Sequence, residues 1–232
     1  EEYPALKVVA FDVASSIAHF RRPDTTATQL TYPFIPPTVA KGIVGAILGI
    51  EDFVTKDRVG IQLLSKVQII SQQLSLLGKG GGTVFNRPTT IQLLVHPAYR
   101  IYYGGEEYVD MLEEKLMNHH AVYTTYLGSA FALTKPRYVG TWRLQEIVPP
   151  DSVCYAKTVV PVDLIEELKV EAGYYYQRAN GFMREYLGNR AFQKSIDFLY
   201  EQNGKKIKIL PKQENDLDMS VCVLEGDLLC LV

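Results

Sequence analysis

The chain has 232 residues, 47% of them hydrophobic and 22% charged, which is enough apolar surface for a packed core and excludes an intrinsically disordered chain. Lys and Arg total 24 against 26 Asp and Glu, a formal net charge of −2, and that balance argues against a general polyanion binder with a basic excess. The length allows one large domain, or a compact domain with an appendage.

Leu6 to Val13, LKVVAFDV, is β-branched and aromatic with partial alternation and reads as a first core strand. A Thr- and Pro-rich loop, Ser15 to Pro37, follows and holds His19-Phe20-Arg21-Arg22. The double proline Pro36-Pro37 suits a helix entrance, and Val39, Ile43 and Ile47 recur at helical spacing toward an end near Gly49. Gly42 and Gly45 weaken that helix, so a close backbone approach is expected on one face.

Leu63 to Leu77 is a second strand candidate, and Thr89 to Tyr103 a third, bent or interrupted by Pro97. Between them lies the loop Gly78-Lys79-Gly80-Gly81-Gly82-Thr83. Glu107 to His119 shows helical spacing through Val109, Leu112 and Leu116, with its acids placed early, where the helix dipole favours them. Strand, helix, strand, strand, helix is the opening of a ferredoxin-like βαββαβ unit, also the scaffold of RRM-type RNA binders.

Arg137 to Val148 and Val153 to Val160 read as strands joined at Pro149-Pro150-Asp151. Gly173 to Tyr200 shows no clean period, and Ser220 to Val232 reads as a hairpin turning at Glu225-Gly226-Asp227. The fold class expected is α+β: a ferredoxin-like domain over residues 1–140, with a smaller β-rich portion over 141–232 packed as one unit with it.

The longest unbroken apolar run, Gly42 to Ile50, is nine residues, against about 20 for a spanning helix, so no membrane segment is expected. The opening Glu1-Glu2-Tyr3-Pro4 is no signal peptide, and starting on Glu in place of Met points to missing leading residues. Cys154, Cys222 and Cys230 form no C-x-x-C pair and suit buried thiols in a reducing cytoplasm.

Residues 1–100 carry ten Lys/Arg against seven Asp/Glu, and residues 101–232 fourteen against nineteen, so the halves are +3 and −5. No acid occurs from Arg58 through Gly105. Either a basic functional surface or a buried pair of strands accounts for that gap. The glycine loop fits neither the P-loop nor the G-x-G-x-x-G pattern. With Lys79 inside and Arg87 behind, it is either a cradle for a phosphodiester backbone or a flexible hairpin tip. His19-Phe20-Arg21-Arg22 offers cations and an aromatic face, as single-stranded RNA recognition uses, or a solvated loop with Phe20 packed inward. His119-His120 is a poor metal pair, no metal or other cofactor is expected, and no hydrolytic triad stands at recognisable spacing.

F-D-V at 11–13, A-H-F-R-R-P at 18–23, T-Y-P-F at 31–34, P-P-T at 36–38 and G-I-V-G-A-I-L-G at 42–49 together resemble the CRISPR-associated Cas five family, in its type I-B form. R-P-T-T at 87–90 and Y-R-I-Y-Y at 99–103 are similar to the family's later strand. The resemblance implies a RAMP-type fold whose extended thumb between the second and third strands falls at about 77–88. It implies a subunit of the Cascade surveillance complex that caps the crRNA 5′ handle, contacts the backbone and large subunits, and lies near target DNA at the PAM end. On that basis Arg21, Arg22, Lys41, Lys79, Arg87 and Arg100 are candidates for phosphates, Phe20, Tyr32 and Phe85 for bases, and His19, Thr38, Gly80 and Gly81 for further RNA contacts. The type I-C branch of the family cuts precursor crRNA with Tyr, Lys and His, and no such trio stands here at the expected positions. A non-catalytic RNA-binding subunit is the first expectation, a metal-independent endoribonuclease the second, and an assembly subunit whose RNA is held by neighbours the third.

Overall fold

The computed structural model describes residues 5–213 and 218–232. In chain order its amino-terminal elements are β1 (Ala5–Ala14), β2 (Ile17–Ala18), α1 (Pro37–Leu48), β3 (Arg58–Leu63), β4 (Ile69–Gly80), β5 (Thr83–Val95), β6 (Ala98–Gly104), α2 (Val109–Met117) and β7 (Arg137–Gln145). The carboxy-terminal strands are β8 (Cys154–Ala156), β9 (Val160–Pro161), β10 (Ile165–Leu168), β11 (Tyr176–Gly188), β12 (Ala191–Glu201), β13 (Ile207–Pro211), β14 (Ser220–Leu224) and β15 (Asp227–Leu231). The fold is mixed and strand-rich.

The central sheet is antiparallel in the order β3-β6-β1-β7. Both of its faces are covered, which explains why β1 reads as a nearly continuous apolar run. Val9, Phe11 and Val13 point to one side, into a core shared with α1 and α2. Val8 and Ala10 point to the other, where Cys222, Leu224, Leu229 and Leu231 of the closing hairpin meet them. The sheet face on which an RRM stacks bases is therefore shut by β14 and β15. At Gly60 a Cβ would sit 2.7 Å from the Leu231 side chain and 2.8 Å from the Cys230 carbonyl, so glycine is what lets the two layers close.

Helix α1 begins on Pro37 and ends at Gly49, whose φ of 78° gives the left-handed cap that glycine supplies. Gly45 faces the Phe53 ring with room for no side chain, whereas Gly42 has nothing within 4 Å. The expected close approach thus holds at one glycine of the pair.

Two strand expectations divide. Leu63–Leu77 splits between β3 and β4, and Thr89–Tyr103 between β5 and β6, because His96 (φ 48°) and Pro97 turn the chain out of one sheet into another. Residues 137–148 form β7, cut short at Gln145, and the division at residue 140 falls inside that strand. Val153–Val160 becomes β8 and β9, and residues 173–200 contain the β11–β12 hairpin. Its buried Phe182, Ile196, Phe198 and Tyr200 join the helix-side core, where Phe182 stacks on Tyr32 and Phe34 at 4.4 and 4.9 Å. The closing hairpin turns at Glu225-Gly226, as expected. Cys222 and Cys230 are buried, their thiols pushed up to about 12 by desolvation. Among the described residues no helix is long and apolar enough to cross a membrane.

Candidate nucleic-acid interface

The segment without acids builds a hairpin of its own. Strands β4 and β5 pair from Ile69 with Leu94 to Gly80 with Thr83 without a register shift, a span of about 40 Å at ~3.3 Å per residue. Gly81 and Gly82 close it with φ of 57° and 80°, the two positive values that a two-residue turn matched to strand twist requires. From Thr89 to Val95 the hairpin rests on the body; from Thr83 to Pro88 every residue of β5 is exposed. Residues 77–88, the range expected for a thumb, fall in this free distal half, and the complete hairpin is more than twice as long. Its only charges are Lys79 and Arg87, both solvent-facing. Phe85 lies across from Gly78 with its ring over the glycine and 48% of its surface exposed. Leu77 and Val84 are exposed beside it. Cations, small residues and an open aromatic ring are what a single-stranded nucleic acid can lie against.

The arginine loop clamps the base of the hairpin. Strand β2 pairs with Leu94 and Val95, and Gln29 exchanges main-chain hydrogen bonds with Thr90 and Gln92. His19 Nδ1 lies 2.7 Å from the Gln92 carbonyl oxygen, and the Thr31 amide donates to the Gln92 side chain at 3.2 Å. Arg21, bridged to Thr31 through its backbone, presents an exposed side chain beside this junction. Arg22 forks onto Asp24, with contacts of 2.8 and 3.1 Å that partly neutralise it.

The remaining expected residues sort by burial. Phe20 is 2% exposed against the Tyr99 ring, and Tyr32 is 6% exposed, stacked on Phe182 with its hydroxyl donating to the Gly181 carbonyl at 2.7 Å. Neither ring offers a face to a base, so both are core residues, a correction to their assignment as stacking platforms. Arg100 is held by Asp12, directly opposite in the β1–β6 ladder, at 2.8 and 3.0 Å, and so is already paired. Gly80 is at the exposed hairpin tip with Gly81. Thr38 and Lys41 are elsewhere, on the first turns of α1, where they line a groove.

His19 and Lys79 are far apart. The His19 ring is tied to Gln92, whereas Lys79 pairs with Val84, eight residues up β5, which is about 26 Å of strand. Burial lowers the His19 pKa, with the nearby Arg21 charge contributing in the same direction against the Gln92 bond. Among the described residues no group of three or more His, Cys, Asp or Glu is placed to hold a metal ion.

No family model matches the chain, and no curated protein matches it in sequence. Solved structures do match it. A CRISPR protein from Archaeoglobus fulgidus superposes with a TM-score of 0.53 at 10% identity, covering 97% of this chain and 98% of its own. The fold is similar to that of CRISPR-associated proteins. A chain of a CRISPR RNA-guided surveillance complex gives 0.51 at 10% identity, over 88% of this chain and 91% of that one. A chain of the Type III-B Cmr-beta assembly bound to cognate target RNA and AMPPnP gives 0.51 at 10% identity, over 87% and 86%. At such identities the likeness is one of fold.

The glycine tip of the hairpin and the loop holding Arg21 and Arg22 are legible in the sequence, and the way they join is not. The signal was present in Gln29 and Gln92, polar residues flanking apolar ones, whose pairing across more than sixty positions has no local signature.

Proposed function

We propose that this chain is a non-catalytic subunit of a CRISPR effector complex of the Cascade kind, and that it holds the 5′ handle of crRNA along the β4–β5 thumb and the arginine loop at its base. The observation that carries this reading is the free, acid-free hairpin bearing Lys79, Arg87 and the open Phe85 ring. Whole-chain similarity to a subunit of an RNA-guided surveillance complex supports it. The central order β3-β6-β1-β7, with both crossovers made by helices on one face, supports a ferredoxin-like RAMP domain of the Cas five kind. In that setting the acidic carboxy-terminal half meets the backbone and large subunits, and the thumb lies near target DNA at the PAM end.

A non-catalytic role is supported by the distance between His19 and Lys79 and by a His19 ring committed to the Gln92 carbonyl. Ultraviolet cross-linking of crRNA within the purified complex tests the assignment, with adducts expected on the tryptic peptides containing Lys79 to Arg87. Absence of any adduct on this chain would make it an assembly subunit. Cleavage of repeat RNA by the isolated chain in EDTA would make it an endoribonuclease.

A further inference from the structure

Between the first turns of α1, residues 50–58 and the β11–β12 hairpin lies a groove of about 1060 Å³. None of its lining residues belongs to the thumb or to the arginine loop. Six cations and four acids face it, and the acids are already engaged. Asp52 accepts from the Tyr186 hydroxyl and the Asn189 amide, and Glu107 from the Thr55 hydroxyl and the Lys56 amide. Glu185 is bound by Gln193 and Lys194, and the Asp218 carboxylate by Arg58.

Two of the cations, Arg184 and Lys41, are less satisfied. Arg184 is 7% exposed, and its one hydrogen bond among the described residues goes to the Asp218 main-chain carbonyl. A guanidinium has five donors, so Arg184 keeps donors free for a ligand at the groove. Lys41 makes no ion pair among the described residues, and its pKa is pushed down to about 8, first by desolvation and then by the Arg184 and Arg58 charges. Asp57 and Glu185 oppose that shift without reversing it. A half-buried lysine crowded by two arginines is stabilised by an anion. The opposite wall is apolar and open: Val54, Leu187 and Phe192 are each about half exposed, and the Phe192 ring leans on Tyr186 at 5.0 Å.

We propose that this groove is a second RNA site, which takes one unstacked nucleotide of a single-stranded RNA, its phosphate on Lys41 and Arg184 and its base against Phe192 and Leu187. The proposal rests on the RNA-binding reading above and adds a place to it. Guanidinium groups match phosphate geometry in pairs, and an aromatic face accepts any base. An acidic peptide would engage the cations and leave the aromatic wall unused.

The test is fluorescence anisotropy of the full chain with a labelled short oligouridylate, competed with free uridine monophosphate. Lys41→Gln and Phe192→Ala are each expected to weaken binding about tenfold, the loss expected of one charge-assisted contact or one stacked base, and Lys41→Arg to restore most of it. Phe192 is half exposed, so its variant keeps the test valid if the Lys41 variant melts early. Competition by the free monophosphate in wild type that is lost in Lys41→Gln and Phe192→Ala supports the proposal. If Lys41→Gln and Phe192→Ala bind as tightly as wild type while Lys79→Glu/Arg87→Glu binds weakly, the groove assignment is overturned and the thumb assignment stands. If wild type and every variant show the same negligible affinity, both are overturned.

Discussion

His19 Nδ1 and the main-chain oxygen of Gln92 are 2.7 Å apart, and this bond fastens the arginine loop to the base of the thumb. The other ring nitrogen, Nε2, is buried without a partner. Donation to a carbonyl oxygen requires a proton on Nδ1, and burial disfavours a second proton on Nε2, so desolvation lowers the pKa below its ordinary value near 6.5, against the opposing effect of the Gln92 bond. In the interval between the folded and unfolded values the unfolded chain binds more protons, so stability rises with pH there. The contribution is complete above about pH 6.5 and is lost as pH falls through the depressed folded value. Thermal unfolding between about pH 5 and 8 should show a steeper acid-side decline for wild type than for His19→Asn, which retains a donor and cannot charge. Coincident profiles would refute the neutral-histidine assignment.

Asp57 is a second anchor. Its buried carboxylate accepts the amides of Glu106, Glu107 and Tyr108 at 2.9, 3.0 and 2.8 Å, and the Tyr103 hydroxyl at 2.8 Å. These amides lie just ahead of α2, so the side chain at the start of β3 caps the approach to a helix fifty residues on. Asp57→Ala leaves several buried donors without a partner and should destabilise the fold by on the order of 3 kcal/mol. Urea unfolding should show a lower midpoint with an unchanged slope. Asp57→Asn, which keeps one acceptor oxygen, should lose less.

The Arg100 fork on Asp12 separates a structural arginine from an RNA contact. Arg100→Gln should cost about 1–2 kcal/mol of stability, as the loss of charge-assisted bonds in a half-buried pair does. The same change should leave RNA affinity within about twofold, because the side chain is already spent on Asp12. Parallel melting and anisotropy measurements check both halves of the statement. A large loss of RNA binding without loss of stability would return Arg100 to the interface.

What was legible in the sequence follows from where each element is packed. β1 and α1 sit in the core on every relevant face, so their apolar spacing is strong, and Gly49 marks the helix end by its own backbone. The distal half of the hairpin buries no residue fully, with Leu74, Leu76 and Gly78 only half-buried on one face of β4 and Thr83 to Pro88 exposed, so its alternation is weak, and the range 77–88 covers less than half of the hairpin. β11 and β12 were obscured for another reason: register shifts at Ala179–Phe182 and Tyr186–Gly188, with Lys194 at φ 57°, break the period of two that Phe182, Ile196 and Phe198 would otherwise keep. Phe20 and Tyr32 were misassigned because an aromatic beside arginines looks the same in sequence whether its ring is in solvent or, as here, in the core. The paired state of Arg100 was hidden because Asp12 lies eighty-eight residues away.

Charge reversal on the thumb should affect binding without touching stability. Lys79 and Arg87 are exposed on the free half of the hairpin, so Lys79→Glu/Arg87→Glu should melt with wild type. If each side chain neutralises one phosphate, the slope of log affinity against log salt should become shallower by about one unit per lost contact, ~0.7 for a single strand. At the arginine loop the two side chains should differ. Arg22 already has Asp24 as a partner at 2.8 Å, whereas Arg21 is exposed with no carboxylate bound to it among the described residues, so Arg21→Glu should weaken RNA binding more than Arg22→Glu. Anisotropy titrations across a salt series measure all of these. An unchanged slope in the thumb variant would mean that RNA passes along another surface of the protein.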